Sequence, residues 1–264
     1  MSEQQYFDTI ADGYGTLDTG STPVRRYAET HTLSRLLPPL QGRTVLELAC
    51  SDGFFSRIIR RHGAASVLAV DLSPQMIALA RLHEERDPLG IEYRTGSVLD
   101  IGILGAFDLV FSPFVMSYAK DRAELLQMCR ILYDNLKPGG TLLSMNDNPD
   151  LLPDSETGFE KYGKTKRIAE LAKDAAKLTV TWLVPDAEGG IQQLAFDCRY
   201  FTRDALEWAL SEAGFVDVRI HRPGISPEGM ERYGTDYWTL FLEHPLLVFV
   251  KARKPGDRTP TPEA

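Results

Sequence analysis

The sequence predicts a doubly wound α/β fold, a mostly parallel sheet with helices on both faces, and three observations carry that prediction. Apolar runs of strand length alternate with helical patterns between Val45 and Met145. Such alternation feeds each crossover helix back onto a parallel sheet. The first run contains Glu47 and opens directly onto a turn with small residues at alternate positions, Ala49, Ser51 and Gly53. The second run, Val67 to Val70, ends in an acid, Asp71. Small side chains let a ligand approach backbone N–H groups, and an acid at that place can accept from both ribose hydroxyls. A nucleoside pocket at the carboxyl edge of the sheet follows.

Taken in order, residues 5 to 40 carry helical patterning that Pro38 and Pro39 break. A strand at 44–49 precedes a helix near 53–62, and a strand at 66–71 precedes a helix with Ser73 as N-cap and Pro74 at its first position. Strands follow at 91–95 and 107–112. Asp121 and Glu124 have capping-box spacing at the start of an amphipathic helix that ends near Leu136. A strand at 140–146 closes the parallel series. Residues 147 to 200 break the rhythm, with a helical segment expected near 161–176. Two β-prone runs, Leu178 to Val184 and Ile191 to Tyr200, flank a Gly189-Gly190 turn and read as a hairpin. A helix capped by Thr202, a strand near 216–221, a long loop and a last strand at 246–252 complete the reading. The proline-rich stretch from Lys254 onward reads as disordered. The division is then a helical N-terminal lid at 1–40, a main domain at 41–254 with an insertion at 147–200, and a tail at 255–264.

Composition narrows the function. The chain has 264 residues and a net charge of −8, without a basic stripe to neutralise a phosphate backbone, so a nucleic-acid substrate is excluded. Cys50, Cys129 and Cys198 lie far apart, a pattern that suits a reducing compartment and offers no metal spacing. Residues 1 to 5 resemble no signal peptide, and no apolar stretch reaches membrane-spanning length. A cytoplasmic protein acting on small molecules is expected, with no metal and an oligomeric state that the sequence leaves open. As a dinucleotide fingerprint the first turn is poor, because Ala49 and Ser51 stand where two glycines would cradle a pyrophosphate.

The run from Glu47 to Gly53 resembles the first motif of class I S-adenosylmethionine-dependent methyltransferases, in which E/D-x-G/A-x-G/S-x-G is common. The resemblance continues in order through Asp71-Leu72-Ser73-Pro74-Gln75-Met76, Tyr93 to Val98, Phe107 to Val110 and Leu136 to Leu142. It implies a seven-stranded Rossmann-like sheet, S-adenosylmethionine as methyl donor and S-adenosylhomocysteine as product. Carried onto this chain, it assigns the cofactor to Glu47, Ala49, Ser51, Gly53, Asp71, Leu72, Met76, Ser97, Val98 and Ser112. Glu47 is expected to order the turn and the cofactor's amino group rather than to act as a base. Where the family often has an acid after the glycine of the adenine segment, Ser97 stands here, with Asp100 as the alternative. Tyr6 to Tyr14 resembles the family's lid, which makes Tyr14 a cofactor residue, and Arg25 or Arg26 is a partner for the cofactor's carboxylate, Arg26 being preferred.

A narrower resemblance, to the toxoflavin-synthase-like small-molecule methyltransferases, rests on Met145 to Leu151, Gly158 to Gly163 and Asp236 to Phe241. It implies methylation of N or O, with C the least favoured, on a nitrogen heterocycle or related specialised metabolite. Phe114, Tyr118, Tyr162, Phe196, Tyr200, Tyr237 and Trp238, with Trp182 in the same aromatic set around the insertion, offer flat apolar faces for such an acceptor, and Asn146 and Asn148 could orient its polar edge. No catalytic residue is assigned; Asp147, Tyr118, Glu170 and Tyr237 are candidates for a general base. The alternatives are a module that binds the cofactor without turnover and a nicotinamide oxidoreductase.

Overall fold

The computed structural model describes residue 8 and residues 19–152, 154–186 and 188–256. Its strands are β1 (Thr44–Leu48), β2 (Ser66–Asp71), β3 (Glu92–Thr95), β4 (Phe107–Pro113), β5 (Leu136–Asp147), β6 (Asp154–Ser155), β7 (Lys164–Ile168), β8 (Ala176–Pro185), β9 (Ile191–Tyr200), β10 (Val216–His221) and β11 (Leu247–Arg253). The helices are α1 (Thr30–Leu36), entered through a π-helical turn at Val24–Glu29, then α2 (Phe54–Arg61), α3 (Pro74–Arg86), α4 (Arg122–Asp134), α5 (Arg203–Glu212) and α6 (Pro227–Glu243).

Seven strands form one sheet in the order β10-β11-β5-β4-β1-β2-β3, parallel except for β11, which runs against both its neighbours. Side chains alternate across it, as the pleat requires. Val45, Leu109, Phe111, Leu143, Met145 and Phe249 pack toward α1, α2, α3 and α6. Leu46, Leu48, Val110, Leu142 and Val250 pack toward α4 and α5. The chain leaves β1 outward to β2 and β3, then returns to place β4 on the other side of β1. Such a reversal opens a crevice at the carboxyl ends of the strands. Its helices start where the sequence says: Ser73 accepts from the Met76 N–H, Asp121 from that of Glu124, and Thr202 from that of Ala205.

Two expectations for the second half need correction. The helix expected near 161–176 is instead a short 3-10 turn at Glu160–Tyr162 followed by β7. Lys, Glu, Ala and Leu make that stretch a good helix former in isolation. Gly163, at φ +81°, turns the chain, and the following residues gain a full antiparallel ladder with β8, Lys164 opposite Trp182 and Ile168 opposite Leu178. The hairpin therefore belongs to a second, four-stranded antiparallel sheet in the order β6-β7-β8-β9. The long loop after β10 contains α6, capped by Ser226, with Pro227 in its first turn and a kink at Gly234. Its glycines suggest loop but serve close packing: a Cβ on Gly229 would lie 2.7 Å from that of Tyr27. The backbone of Lys254 and Pro255 stays hydrogen-bonded to Gly139, so the sheet's order extends past the predicted start of the tail. Residues 257–264 lie outside the described residues.

Candidate functional site

A continuous cavity, open to solvent at its mouth, runs from the ends of β1 and β2 to the inner face of the four-stranded sheet. Its first end is built by the turn between β1 and α2. Ala49 and Ser51 adopt φ +64° and +53°, left-handed values that cost a non-glycine residue about 1–2 kcal/mol each. Gly53, at φ +81°, is fixed more strictly, since a Cβ there would collide with the Tyr93 hydroxyl. The curled turn aims the Ser51 N–H at Asp71 Oδ2, 2.8 Å away, while the Ser73 N–H donates to Oδ1 at 3.0 Å. Each oxygen of Asp71 thus takes one backbone donor and keeps acceptor capacity toward the cavity that it lines. Burial pushes its pKa up to about 6, against the pull of those N–H groups.

Leu72, Met76, Ser97 and Val98 line the same end, with the Ser51 hydroxyl 3.4 Å from the Met76 sulfur. Of the two alternatives in the β3–β4 connection, Ser97 lies in the wall, whereas Asp100 is exposed and outside it. Glu47 does not reach the cavity. It is fully buried behind the turn, where the Ser56 hydroxyl donates to Oε2 and Oε1 has no partner among the described residues. Burial, with Asp52 and Asp71 adding, raises its pKa to about 8, so the acid is neutral at neutral pH.

The far end is made by Phe114 and Tyr118 after β4, Asp147 at the end of β5, and the inner face of the second sheet: Lys164, Lys166, Val180, Trp182, Phe196 and Cys198. Phe114 sits at φ +58°, with its N–H on Met145 O at 2.7 Å, and this strained backbone carries its ring between two ammonium groups. Lys164 Nζ is 4.5 Å and Lys166 Nζ 5.2 Å from the ring centroid. Lys166 donates to Asp147 Oδ1 and to Leu246 O, and Ser117 Oγ donates to Asp147 Oδ2. Lys164 is paired at 3.1 Å with Glu29, which also holds Arg25 at 3.3 Å. Burial lowers the Lys164 pKa to about 8. Burial alone would raise Glu29, but Lys164 and Arg25 hold it below the usual carboxylate range. The Cys198 thiol is pushed well up by burial and by Asp147, which leaves it a packing group.

Several residues expected here lie elsewhere. Arg26 is exposed and paired with Glu228 at 2.8 Å; its neighbour Arg25 turns inward and lines the cavity, stacked on Trp182. Ser112 and Asn146 are buried within the sheet, each bonded to the Ser144 hydroxyl. Asn148 ties a turn, donating to Pro245 O and accepting from the Asp150 N–H. Tyr200 donates to Pro149 O. Tyr162, fully buried, stacks on Trp238 at 5.3 Å, and its hydroxyl donates to Tyr237 O. Trp238 donates to Gly229 O, and Tyr237 to Lys161 O. These aromatics clamp α6 against the entry to α1 rather than forming the acceptor wall. Of the suggested bases, Asp147 and Tyr118 line the cavity, while Tyr237 does not, and Glu170 is exposed beside Lys173. Tyr14 lies outside the described residues. Of the aromatics expected around the insertion, Trp182 and Phe196 line the cavity. Sequence reasoning missed Lys164 and Lys166; their alternation opposite an aromatic β-run was the available signal.

Comparison with known proteins agrees with this layout. Residues 45–140 match the family model described as a methyltransferase domain. Over 114 residues the chain is 37% identical to the ubiquinone biosynthesis O-methyltransferase of Cereibacter sphaeroides, a match covering 42% of this chain and 44% of that protein. The chain thus spans less than half the length of that relative. The fold is that of the CcbJ methyltransferase from Streptomyces caelestis, with TM-score 0.66 at 22% identity over 97% of this chain and all of that one. It is likewise that of SAM-bound CalS10, an amino pentose methyltransferase from Micromonospora echinaspora, with TM-score 0.57 at 18% identity over 96% of this chain and all of that one.

Proposed function

We propose that this chain is an S-adenosylmethionine-dependent methyltransferase that modifies N or O of a small flat acceptor. The observation that carries the reading is Asp71, a half-buried carboxylate at the switch point whose two oxygens are each fixed by a backbone N–H and still face the cavity. Ribose hydroxyls are the donors that such a group suits. Leu72, Met76 and Val98 supply apolar faces for a nucleobase, and Ser97 a polar edge. The side chains of Ala49 and Ser51 occupy the turn where a pyrophosphate would need bare backbone, which disfavours a nicotinamide dinucleotide.

Bound S-adenosylmethionine would supply a methyl group already activated by its sulfonium, so the protein's work is to position the acceptor and exclude water. Phe114, Tyr118, Trp182 and Phe196 provide the flat walls for that, and the second sheet closes the cavity over the edge of the first. Asp147 accepts from Lys166 on one oxygen and from Ser117 on the other, so both oxygens already hold a donor. The resemblance to the toxoflavin-synthase-like group supports a heteroaromatic specialised metabolite as acceptor. Asp8 accepts from the Ser73 hydroxyl at 2.7 Å, beside the nucleoside end, and this contact supports the expected lid.

Calorimetry with S-adenosylhomocysteine and with NADH, followed by incubation of the protein with labelled S-adenosylmethionine and a metabolite extract, tests the reading. Binding of S-adenosylhomocysteine with a labelled small product is the expected result. Tight NADH binding favours the oxidoreductase, and cofactor binding with no labelled product favours the non-catalytic module.

A further inference from the structure

We propose that Lys164 and the indole N–H of Trp182 form an oxyanion site that binds a carboxylate-like substituent of the methyl acceptor. The word acceptor rests on the methyltransferase reading; the oxyanion site does not. The two residues are direct cross-strand partners on β7 and β8, and both line the cavity. Lys164 is 3% exposed. Its ammonium meets one oxygen, Glu29 Oε1, and otherwise faces two rings, with centroids at 4.5 Å (Phe114) and 4.3 Å (Trp182). A buried ammonium has three donors to satisfy, and ring faces satisfy them weakly. The indole N–H of Trp182, itself 1% exposed, has no acceptor among the described residues. Buried donors without acceptors are rare because each costs the desolvation of its polar group. An oxygen-bearing anion at this end of the cavity would satisfy both.

The ring faces of Phe114, Trp182 and Phe196 make the anion a substituent on a flat molecule. The same oxyanion chemistry could come from the cofactor's own carboxylate, so the test separates the two sources.

Benzoate and its neutral isostere benzamide serve as probes, titrated calorimetrically into the full chain saturated with S-adenosylhomocysteine. Wild type should bind benzoate at least about tenfold more tightly than benzamide, the equivalent of one well-formed charged contact. Lys164→Met should reduce that preference to about twofold or less, Lys164→Arg should restore part of it, and Trp182→Phe should cut it by about threefold. Should Lys164→Met fail to fold, Trp182→Phe, which keeps the ring and removes the donor, decides alone. Equal or undetectable binding of the two probes to wild type overturns the proposal, and so does a preference that survives the substitutions. If Lys164→Met instead abolishes S-adenosylhomocysteine binding, the oxyanion is the cofactor's and the proposal falls. Failure of wild type to bind S-adenosylhomocysteine overturns the methyltransferase reading, and the benzoate arm without it then reads the oxyanion site alone.

Discussion

Glu47 and Asp71 serve one turn from opposite sides, and their environments give them opposite tasks. Asp71 is most useful ionised, because only then can both oxygens accept from hydroxyl donors beyond the Ser51 and Ser73 N–H groups. Its pKa of about 6 means that S-adenosylhomocysteine affinity should be full above that pH and fall as pH drops through it. Asp71→Ala should weaken binding by about 1.5–3 kcal/mol, roughly ten- to a hundredfold, at neutral pH. Calorimetry across pH checks both statements, and a folded variant of unchanged affinity would take Asp71 out of the site. Glu47 has its pKa raised above the ordinary 4.5 to about 8. The stability it contributes as a neutral acid is therefore present below pH 4.5 and lost as pH rises through about 8. Glu47→Gln, which keeps the shape but cannot ionise, should raise Tm relative to wild type at about pH 9 and change it little at about pH 5. Scanning calorimetry without ligand reads the difference, and an equal shift at both values would mean that Glu47 does not titrate there.

At the scale of elements, what could be read from the chain was what is encoded locally. Ser73, Asp121 and Thr202 announce their helices because capping needs only the next three residues. Ala49 to Gly53, Asp71 and Ser97 were legible for the same reason, each being part of a contiguous strand-turn motif. β7 was not, since its residues favour a helix until β8 offers a ladder, and the cavity's lysines were lost with it. The same cause misplaced the aromatics. Tyr162, Tyr237 and Trp238 looked like a ligand wall because nothing local says that α6 exists to bury them. In the fold they are a packing core, with Trp238 fully buried and edge-on to Tyr27, Tyr233 and Phe241. Trp238→Ala should then cost about 3–5 kcal/mol of stability. Urea unfolding measures that loss. A stable variant with a specific defect in methyl transfer would return Trp238 to the acceptor site.

At the scale of the whole molecule, the cavity lies between two sheets, and each sheet presents different groups to it. The large parallel sheet presents strand ends and backbone donors, which suit a nucleoside and are set by topology. The small antiparallel sheet presents a continuous inner face in which Lys164 and Lys166 on β7, Val180 and Trp182 on β8, and Phe196 and Cys198 on β9 lie side by side. Along the ladder Val180 stands opposite both Lys166 and Phe196, so one row of the small sheet spans the cavity floor. A division of labour follows: substitutions on the small sheet should change what is methylated, and substitutions on the large sheet whether the cofactor binds. Phe196 gives the cleanest separation, being half-buried in the wall and remote from the turn that holds Asp71. Phe196→Ala should reduce transfer of label from S-adenosylmethionine to the acceptor found in a metabolite extract by about tenfold or more, the effect of losing one aromatic face from a closed site. Its affinity for S-adenosylhomocysteine should stay within about threefold of wild type, less than one well-placed contact is worth. If affinity for the product falls in parallel with turnover, the two sheets share one binding task, and the assignment of the acceptor to the small sheet is wrong.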